Sequence, residues 1–541
     1  MTLINGLNFD NLRGDIYGGL TAAVVALPLA LAFGVASGAG PVAGLYGAIF
    51  VGFFAALFGG TPSQVSGPTG PMTVVMAGVI TSYGHEPALA FTVVMLAGVF
   101  QILFGVFKLG RYISLVPFPV ISGFMSGIGC IIIILQLGPL IGHETPAGGT
   151  LAVLAGLPDL LSAPGRDATI VGVLTLAIVT LTPNRIGRFL PSPLIALVAG
   201  TVLVAFLLPG APVLGEIPTG LPTPHLPTFE IAAVPGMVQS ALVLALLGTI
   251  DSLLTSLIAD NVTQGQHDSD RELIGQGIGN AIAGAFGAIP GAGATMRTVI
   301  NVRTGGRTPI SGALHALVLL AIVLGLGGLA GHIPNAVLAG ILIKVGVDII
   351  DWPYLKRIRQ APRAGVFFMV VVLLLTVLVD LITAVAVGIV LASLLFVKRM
   401  SDLQLGNIKA ITGDTEQVSL SAAEKAALEA GDGRVILYHL SGPFSFGAAK
   451  GMARRLAARD EFDALVLDLS EVPFLDSSAA LGLDDAIKQA QAHDKQVFLV
   501  GVRPEVADTL KRLGVLGLLP DAHHHVSRLE ALKQAAAKIG A

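Results

Sequence analysis

Apolar residues run almost without interruption from about Ile16 to about Val397, and the pattern changes character after Met400. A spanning helix needs roughly 20 apolar residues, so the run divides into about 14 segments, two of them short. The first, IYGGLTAAVVALPLALAFGVASG from Ile16, is flanked by Arg13 and Asp15. It is too long for the apolar part of a cleaved signal. From Ser401 the chain is charged and alternates two periods. RVILYHL, ALVLDLS and QVFLVGV read as buried strands; AAKGMARRLAARD, SAALGLDDAIKQAQAHD and PEVADTLKRLG read as amphipathic helices. The expectation is a transmembrane domain over residues 1–400 and a small cytoplasmic α/β domain over residues 401–541.

Composition narrows the function classes. Hydrophobic residues make up 53% of the 541 and charged residues 12%, against roughly 25% charged in soluble proteins. Mean hydropathy is +0.81. Such a chain must bury most of its surface in lipid, and it is too apolar to be disordered. A net charge of −3 provides no large basic face for nucleic acid. The single cysteine, Cys130, excludes an intrachain disulfide and a Cys-based zinc site. The eleven histidines show no metal spacing, and His523 to His525 reads as a short exposed tract. With no phosphate loop, nucleophile elbow or metalloprotease motif, neither catalytic residues nor an organic cofactor is expected, and any concentrative transport is secondary.

Basic residues give the orientation. Lys108 and Arg111, Arg185 and Arg188, Arg271, Arg303 and Arg307, Lys356 to Arg363, and Lys398 with Arg399 all fall on one side if there are 14 spans. Arg166 is the exception. Both termini are then cytoplasmic, in the cell (inner) membrane. Pro209 to Glu230 divides the membrane part into halves at about residues 10–208 and 231–400. Seven spans each would make them inverted repeats. GPTGPMTVVM from Gly67 and GAGATMRTVI from Gly291 are matching Gly-rich breaks. Aligning Gly70 with Gly293 places Pro28 opposite Asp251.

These breaks are the strongest pointer to a site. A half-helix leaves its first N–H groups unpaired, with its positive dipole end exposed. Two such ends meeting near the midplane form an anion site from backbone alone. Thr69 and Gly70 begin one; Ala294 and Thr295 begin the other. Gly-mediated packing without a ligand is the alternative. Asp251 lies in an otherwise apolar span, where a lone carboxylate costs at least roughly 2.5–3.5 kcal/mol. It must hold a cation, hold a proton or pair with Arg297. Thr255, four residues on, shares its helix face, and with the carbonyls of a broken helix the two suit a small hard cation such as Na+. Arg297, one turn into the second half-helix, adds positive charge or is a structural cation. Phe33 walls the pocket or simply packs. Asp260, His267, Asp268, Arg271 and Glu272 read as caps and ion pairs of a cytoplasmic turn, and Lys344 and Asp380 as interfacial groups.

The chain resembles the sulfate permease (SulP) family of anion transporters. The resemblance rests on PVAGLYGAIFVGFFAALFGG from Pro41, VSGPTGPM from Val65, VISGFMSGIG from Val120, ADNVTQGQHDSDRELIGQGIGN from Ala259, GAGATM from Gly291 and KVGVDIIDW from Lys344. The tail, with VLDLSEVPFLDSSAALGL, resembles the STAS domain that ends most members. The family implies a polytopic α-helical protein of 14 spans in two inverted repeats, with core and gate domains, an elevator mechanism and a homodimer. Within it, the BicA-type bicarbonate transporters are most similar. Their Na+ site matches Asp251, Thr255, Gly293, Ala294 and Thr295, and their anion site matches the half-helix starts from Thr69 and from Ala294 to Met296. Proton-coupled dicarboxylate carriers usually have Glu where this chain has Asp251. Two departures point elsewhere. Arg297 stands where the bicarbonate type has Gly and suits a divalent anion, and Leu29 stands where many members have Gln. In related soluble regulators a Ser of the Asp-Ser-Ser turn is phosphorylated, which here is Asp476 with Ser477 or Ser478; an N-cap is the alternative. The implied activity is Na+-coupled bicarbonate symport. Proton-coupled sulfate or fumarate symport, anion exchange, and a sensor signalling through the tail are the alternatives.

Overall fold

The computed structural model of the protein describes residues 5–83, 86–111, 117–146, 149–183, 186, 191–215, 222–379, 381–412, 418–445 and 462–539. They form two compact units, Met1–Ile389 and Val390–Ala541.

The principal helices of the first half are α1 (Leu12–Ala36), α2 (Pro41–Phe58), α3 (Gly70–Tyr83), α4 (Pro87–Val106), α5 (Phe118–Leu135), α6 (Arg166–Leu181) and α7 (Ser192–Phe206). Those of the second half are α8 (Val234–Thr263), α9 (Ser269–Ala285), α10 (Thr295–Arg303), α11 (Pro309–Ala330), α12 (Asn335–Ile349), α13 (Arg363–Leu378) and α14 (Leu381–Gly406). Two-residue strands precede the third helix of each half: β1 (Ser66–Gly67) and β2 (Ala292–Gly293). The fold is two repeats of seven. The unit boundary at Ile389, like the expected domain boundary at residue 400, falls inside α14.

Proline sets many of the starts. It occupies the first turn of α2, α4, α5, α7 and α8, where its missing N–H costs nothing and its fixed φ suits a helix. Among the described residues α1, α2, α4, α5 and α8 are long and apolar enough to cross a membrane by length and composition alone. More helices are short than the two expected. α7, α12 and α13 run 15 or 16 residues, each preceded by a proline N-cap, Pro191, Pro334 or Pro362. Proline biases the residue before it away from the helix, so each of these helices cannot begin before its proline.

The helices sort into two clusters. α1 to α4 pack with α8 to α11, while α5, α6, α7, α12 and α13 pack among themselves. The clusters meet where α1 crosses α7 and α12, and where α3 meets α5. These are the core and gate of the transporter fold.

In the second unit β3 (Ile408–Ile411), β4 (Val435–Ser441), β5 (Ala464–Glu471), β6 (Gln496–Val500) and β7 (His524–His525) form one sheet in sequence order. β3 is antiparallel to β4 and every other pair is parallel. α16 (Ser477–Ala492) and α17 (Pro504–Arg512) supply one apolar layer; α15 (Ala422–Glu429) and α18 (Arg528–Ile539) supply the other. The three expected strands are β4, β5 and β6. The helix expected over AAKGMARRLAARD lies outside the described residues, as do Arg185, Arg188 and Asp380. The histidine tract is not fully exposed: His523 is buried, bonds its Nδ1 to the Val497 carbonyl at 2.8 Å and stacks on Phe498. It ends a 3-10 turn that tucks its ring under β6, which no periodicity signals.

Candidate ion site at the crossed half-helices

The two breaks meet. β1 and β2 pair antiparallel, Ser66 with Gly293 and Gly67 with Ala292, and the Ala294 N–H donates to the Val65 carbonyl at 2.9 Å. Each strand then turns into a helix. The Thr69 carbonyl accepts from the Thr73 N–H, and the Ala294 carbonyl from the Thr298 N–H. Thr69 and Ala294 are therefore equivalent caps. This moves the repeat alignment by two residues and places Ala26, not Pro28, opposite Asp251; aligning glycine with glycine had ignored where each helix begins. Helix geometry leaves the first N–H groups of both without intrahelical partners. Pro71 has none, so α3 offers Gly70 and Met72 where α10 offers Thr295, Met296 and Arg297.

α8 supplies the carboxylate and hydroxyls. Thr255 Oγ1 donates to the Gly293 carbonyl at 2.9 Å and lies 2.8 Å from Thr295 Oγ1. The Gly293 N–H donates to Ser252 Oγ at 3.0 Å. Asp251, one turn before Thr255, is only 8% exposed. Thr69 and Arg297 lie near its carboxylate. Among the described residues, Asp251 Oδ2 and Thr69 Oγ1 are buried without hydrogen-bond partners. Arg297 forms no ion pair with Asp251 there; its Nη2 donates to the Pro68 carbonyl at 2.6 Å. Oxygen donors with an orphaned carboxylate oxygen fit a small hard cation.

On the other side Phe33 and Ala36 of α1, with Thr73 and Val74 of α3, face Ile132, Leu135, Gln136 and Leu342 across a narrow cleft. A Cβ at Gly70 would fall 2.7 Å from Ile349 Cδ1 and 2.8 Å from Ile132 Cδ1. The α3 start thus lies on the seam between the clusters. Gly70, Ala294 and Arg297 are buried, but the Met296 side chain is 60% exposed, so only its N–H can face an anion.

Several polar groups escaped the sequence reading. Ser252 and Ser256 widen the polar face that Asp251 and Thr255 begin, a stripe the i, i+4 spacing could have shown. Glu272, expected among the caps and ion pairs of a cytoplasmic turn, is buried. Glu272, Gln276 and Asn280 form a ladder four residues apart on α9. Asn280 Nδ2 donates to Gly291 O at 2.9 Å while its Oδ1 accepts from the Gly291 N–H. Asp15 is also buried and accepts from the Arg307 and Thr308 backbone N–H groups. The rest of the turn is as expected: Asp260 Oδ2 lies 2.6 Å from His267 Nδ1, and Asp268 caps α9. Lys344 pairs with Asp348 on α12.

In the second unit Asp476 caps α16, accepting from the Ala479 N–H at 2.7 Å, and Ser477 and Ser478 are exposed in its first turn. Arg528 donates to Glu424 at 2.8 Å and to the fully buried Asp468 at 3.2 Å; His439 is 2.8 Å from the same Asp468 oxygen.

Two interleaved repeats, half-helix starts that meet at a two-residue ladder and a buried polar cluster at their junction define a multi-pass secondary transporter. The chain belongs to the sulfate permease family of anion transporters: residues 12–372 match its family model and residues 429–528 match that of the STAS domain. It is 49% identical over 547 residues to the bicarbonate transporter BicA of Synechocystis sp., spanning 100% of this chain and 97% of that protein. It is 31% identical over 536 residues to the putative sulfate transporter YvdB of Bacillus subtilis, spanning 96% and 98%. The solved transmembrane domain of a cyanobacterial BicA is 53% identical, covers 71% of this chain and all of that one, and superposes with a TM-score of 0.68. Murine Solute Carrier 26 family member A9, in an inward-facing state, shares the fold over 98% of this chain and 92% of its own, with a TM-score of 0.83 and 20% identity.

Proposed function

We propose that the protein is a Na+-coupled bicarbonate symporter of the cell membrane, with both termini cytoplasmic, working as a homodimer. The observation that carries this is the pair of orphaned buried oxygens, Asp251 Oδ2 and Thr69 Oγ1, beside the oxygens of Thr255, Gly293 and Thr295. Asp251 supplies the charge that makes a cation welcome, and the carbonyls and hydroxyls at the β2–α10 junction supply neutral oxygens. Bound Na+ would add positive charge beside the half-helix starts. Thr69, Gly70, Ala294 to Met296 and the Arg297 charge then receive the anion, with Phe33 as the apolar wall. Each ligand raises the affinity of the other, and the linkage is reciprocal.

Charge favours a monovalent anion. Arg297 offsets Asp251, so Na+ with bicarbonate leaves the site neutral, whereas sulfate or a dicarboxylate would need a second cation or a proton. The seam beside Phe33 and Gly70 supports movement of the core cluster against the gate cluster, as in an elevator. Ser477 and Ser478 are open to modification, although the Asp476 cap explains the local sequence without it.

The test is uptake into proteoliposomes of labelled bicarbonate, sulfate and fumarate, under an inward Na+ or proton gradient. Bicarbonate uptake driven by Na+ is the expected result. Sulfate or fumarate uptake driven by protons would make Asp251 a proton carrier. Binding without flux would make the protein a sensor.

A further inference from the structure

Glu272 lies outside the cation site, is 1% exposed, and has no role in the mechanism above. Its two oxygens take four N–H donors. Oε2 accepts from the backbone N–H groups of Gly60 and Thr61, both at 2.9 Å. Oε1 accepts from Gln64 Nε2 and Gln276 Nε2, both at 2.8 Å. Four N–H donors favour a carboxylate there, and a carboxylate sets which end of each glutamine amide faces it.

Both glutamines lead to Gly293. With its NH2 turned to Glu272, Gln64 points Oε1 at Ser256 Oγ, 3.1 Å away on α8. The same amide lies flat against Gly293, whose Cβ, if present, would fall 2.4 Å from Gln64 Nε2. Gln276 Nε2 also donates to Ser66 Oγ at 2.6 Å, and Ser66 is the ladder partner of Gly293. Gly293 is thus held from below by two arms that start on one carboxylate, while its carbonyl faces Thr255.

We propose that Glu272 is a positioning residue for the cation site: through Gln64 and Gln276 it sets the place of the Gly293 carbonyl, and its buried charge favours the cation. This rests on the Na+-coupled reading. Glu272→Gln keeps the shape. The new carbonyl stays with Gly60 and Thr61, whose N–H groups cannot turn, so its NH2 faces Gln64 and Gln276. Both amides then rotate, reversing the polarity offered to Ser256 and Ser66, and a negative charge beneath the site is lost.

The experiment measures, on the purified full chain, the Na+ concentration that half-maximally raises the unfolding temperature, and in parallel Na+-dependent uptake. Glu272→Gln is expected to raise the Na+ midpoint about 10-fold, in the range of outer-shell ligands at metal sites, and to shift it more than the maximal uptake rate. Gln64→Met, which cuts one arm without touching the carboxylate, is expected to shift it in the same direction and serves if Glu272→Gln does not fold. A lower unfolding temperature or uptake rate with an unchanged midpoint would mean that Glu272 only braces the fold, and overturns the proposal. A wild-type protein with no Na+ stabilisation overturns the coupling itself, and this proposal with it, and is told apart by the wild-type arm alone.

Discussion

Ser66 and Gly293 face one another across a two-residue antiparallel ladder, and they come from opposite repeats. Neither repeat can make this contact alone. The ladder aims both half-helix starts at one point, and it brings Gly293 to Thr255 and Thr69 to Asp251.

Asp251→Ala should abolish Na+-driven uptake and leave the size-exclusion profile unchanged. A buried carboxylate without a partner costs at least roughly 2.5–3.5 kcal/mol. Removing it should therefore leave the Na+-free unfolding temperature equal or higher while removing its rise with Na+. A scan of unfolding temperature against Na+ reads both effects; full Na+-stimulated uptake in the variant would refute the site.

Gly293→Ala should cost about 1–3 kcal/mol, as overpacking of a filled site does. The added methyl would meet Gln64 Nε2 at 2.4 Å, and that amide is bonded at both ends. Denaturation of the purified protein measures the loss, and Na+ stabilisation should weaken with it.

Gly70→Leu should fold and transport slowly. The atoms nearest its Cβ are the tips of Ile132 and Ile349, which can turn aside, but the larger side chain then wedges the seam. A tenfold slower uptake, equivalent to about 1.4 kcal/mol on the barrier, with anion binding retained, is the expected split. Equal loss of binding and uptake would place Gly70 in the anion site alone.

The carboxyl-terminal unit should lose stability in acid. Burial pushes the Glu424 and Asp468 carboxyls up, but hydrogen bonds from Arg528 and Ser421 to the first, and from His439 and Ser470 to the second, outweigh it and hold both below the usual carboxylate range. A depressed carboxyl stabilises the fold above its unfolded value and loses that contribution as pH falls through its folded value. The unfolding transition of this unit should weaken first as pH falls below about 6.5, where an unfolded chain can protonate His523 but burial holds it neutral in the fold, and again below about pH 4 as the two carboxyls protonate. Arg528→Met, which leaves the buried Asp468 charge with less compensation, should cost about 3 kcal/mol near neutral pH. An unchanged transition in the variant would show the network to be idle.

Much of this was legible in sequence because lipid imposes simple rules. Backbone groups must be satisfied, so the Gly-rich breaks at Gly67 and Gly291 pointed to a ligand cavity or to close packing, and Asp251 to a bound cation, a proton or an ion pair. The strands β4, β5 and β6 were plain because both faces of each are buried. What hydropathy could not give was length, since the prolines before α7, α12 and α13 fix where those helices start. Nor could it give Glu272, whose neighbours Asp268, Asp270 and Arg271 make its segment look solvated. Its depth follows from Gln276 and Asn280 one and two turns on, a pattern visible only when polar positions are read as a face.

The ladder also bears on how the protein is made. Val65 and Thr298, joined by a hydrogen bond, are 233 residues apart. During synthesis the first half enters the bilayer long before its partner strand exists. Until then the backbone around Ser66 and Gly67 has no ladder partner. The site is therefore among the last parts to close, and a chain truncated before Gly291 should be held by insertion factors or degraded rather than persist as half a transporter.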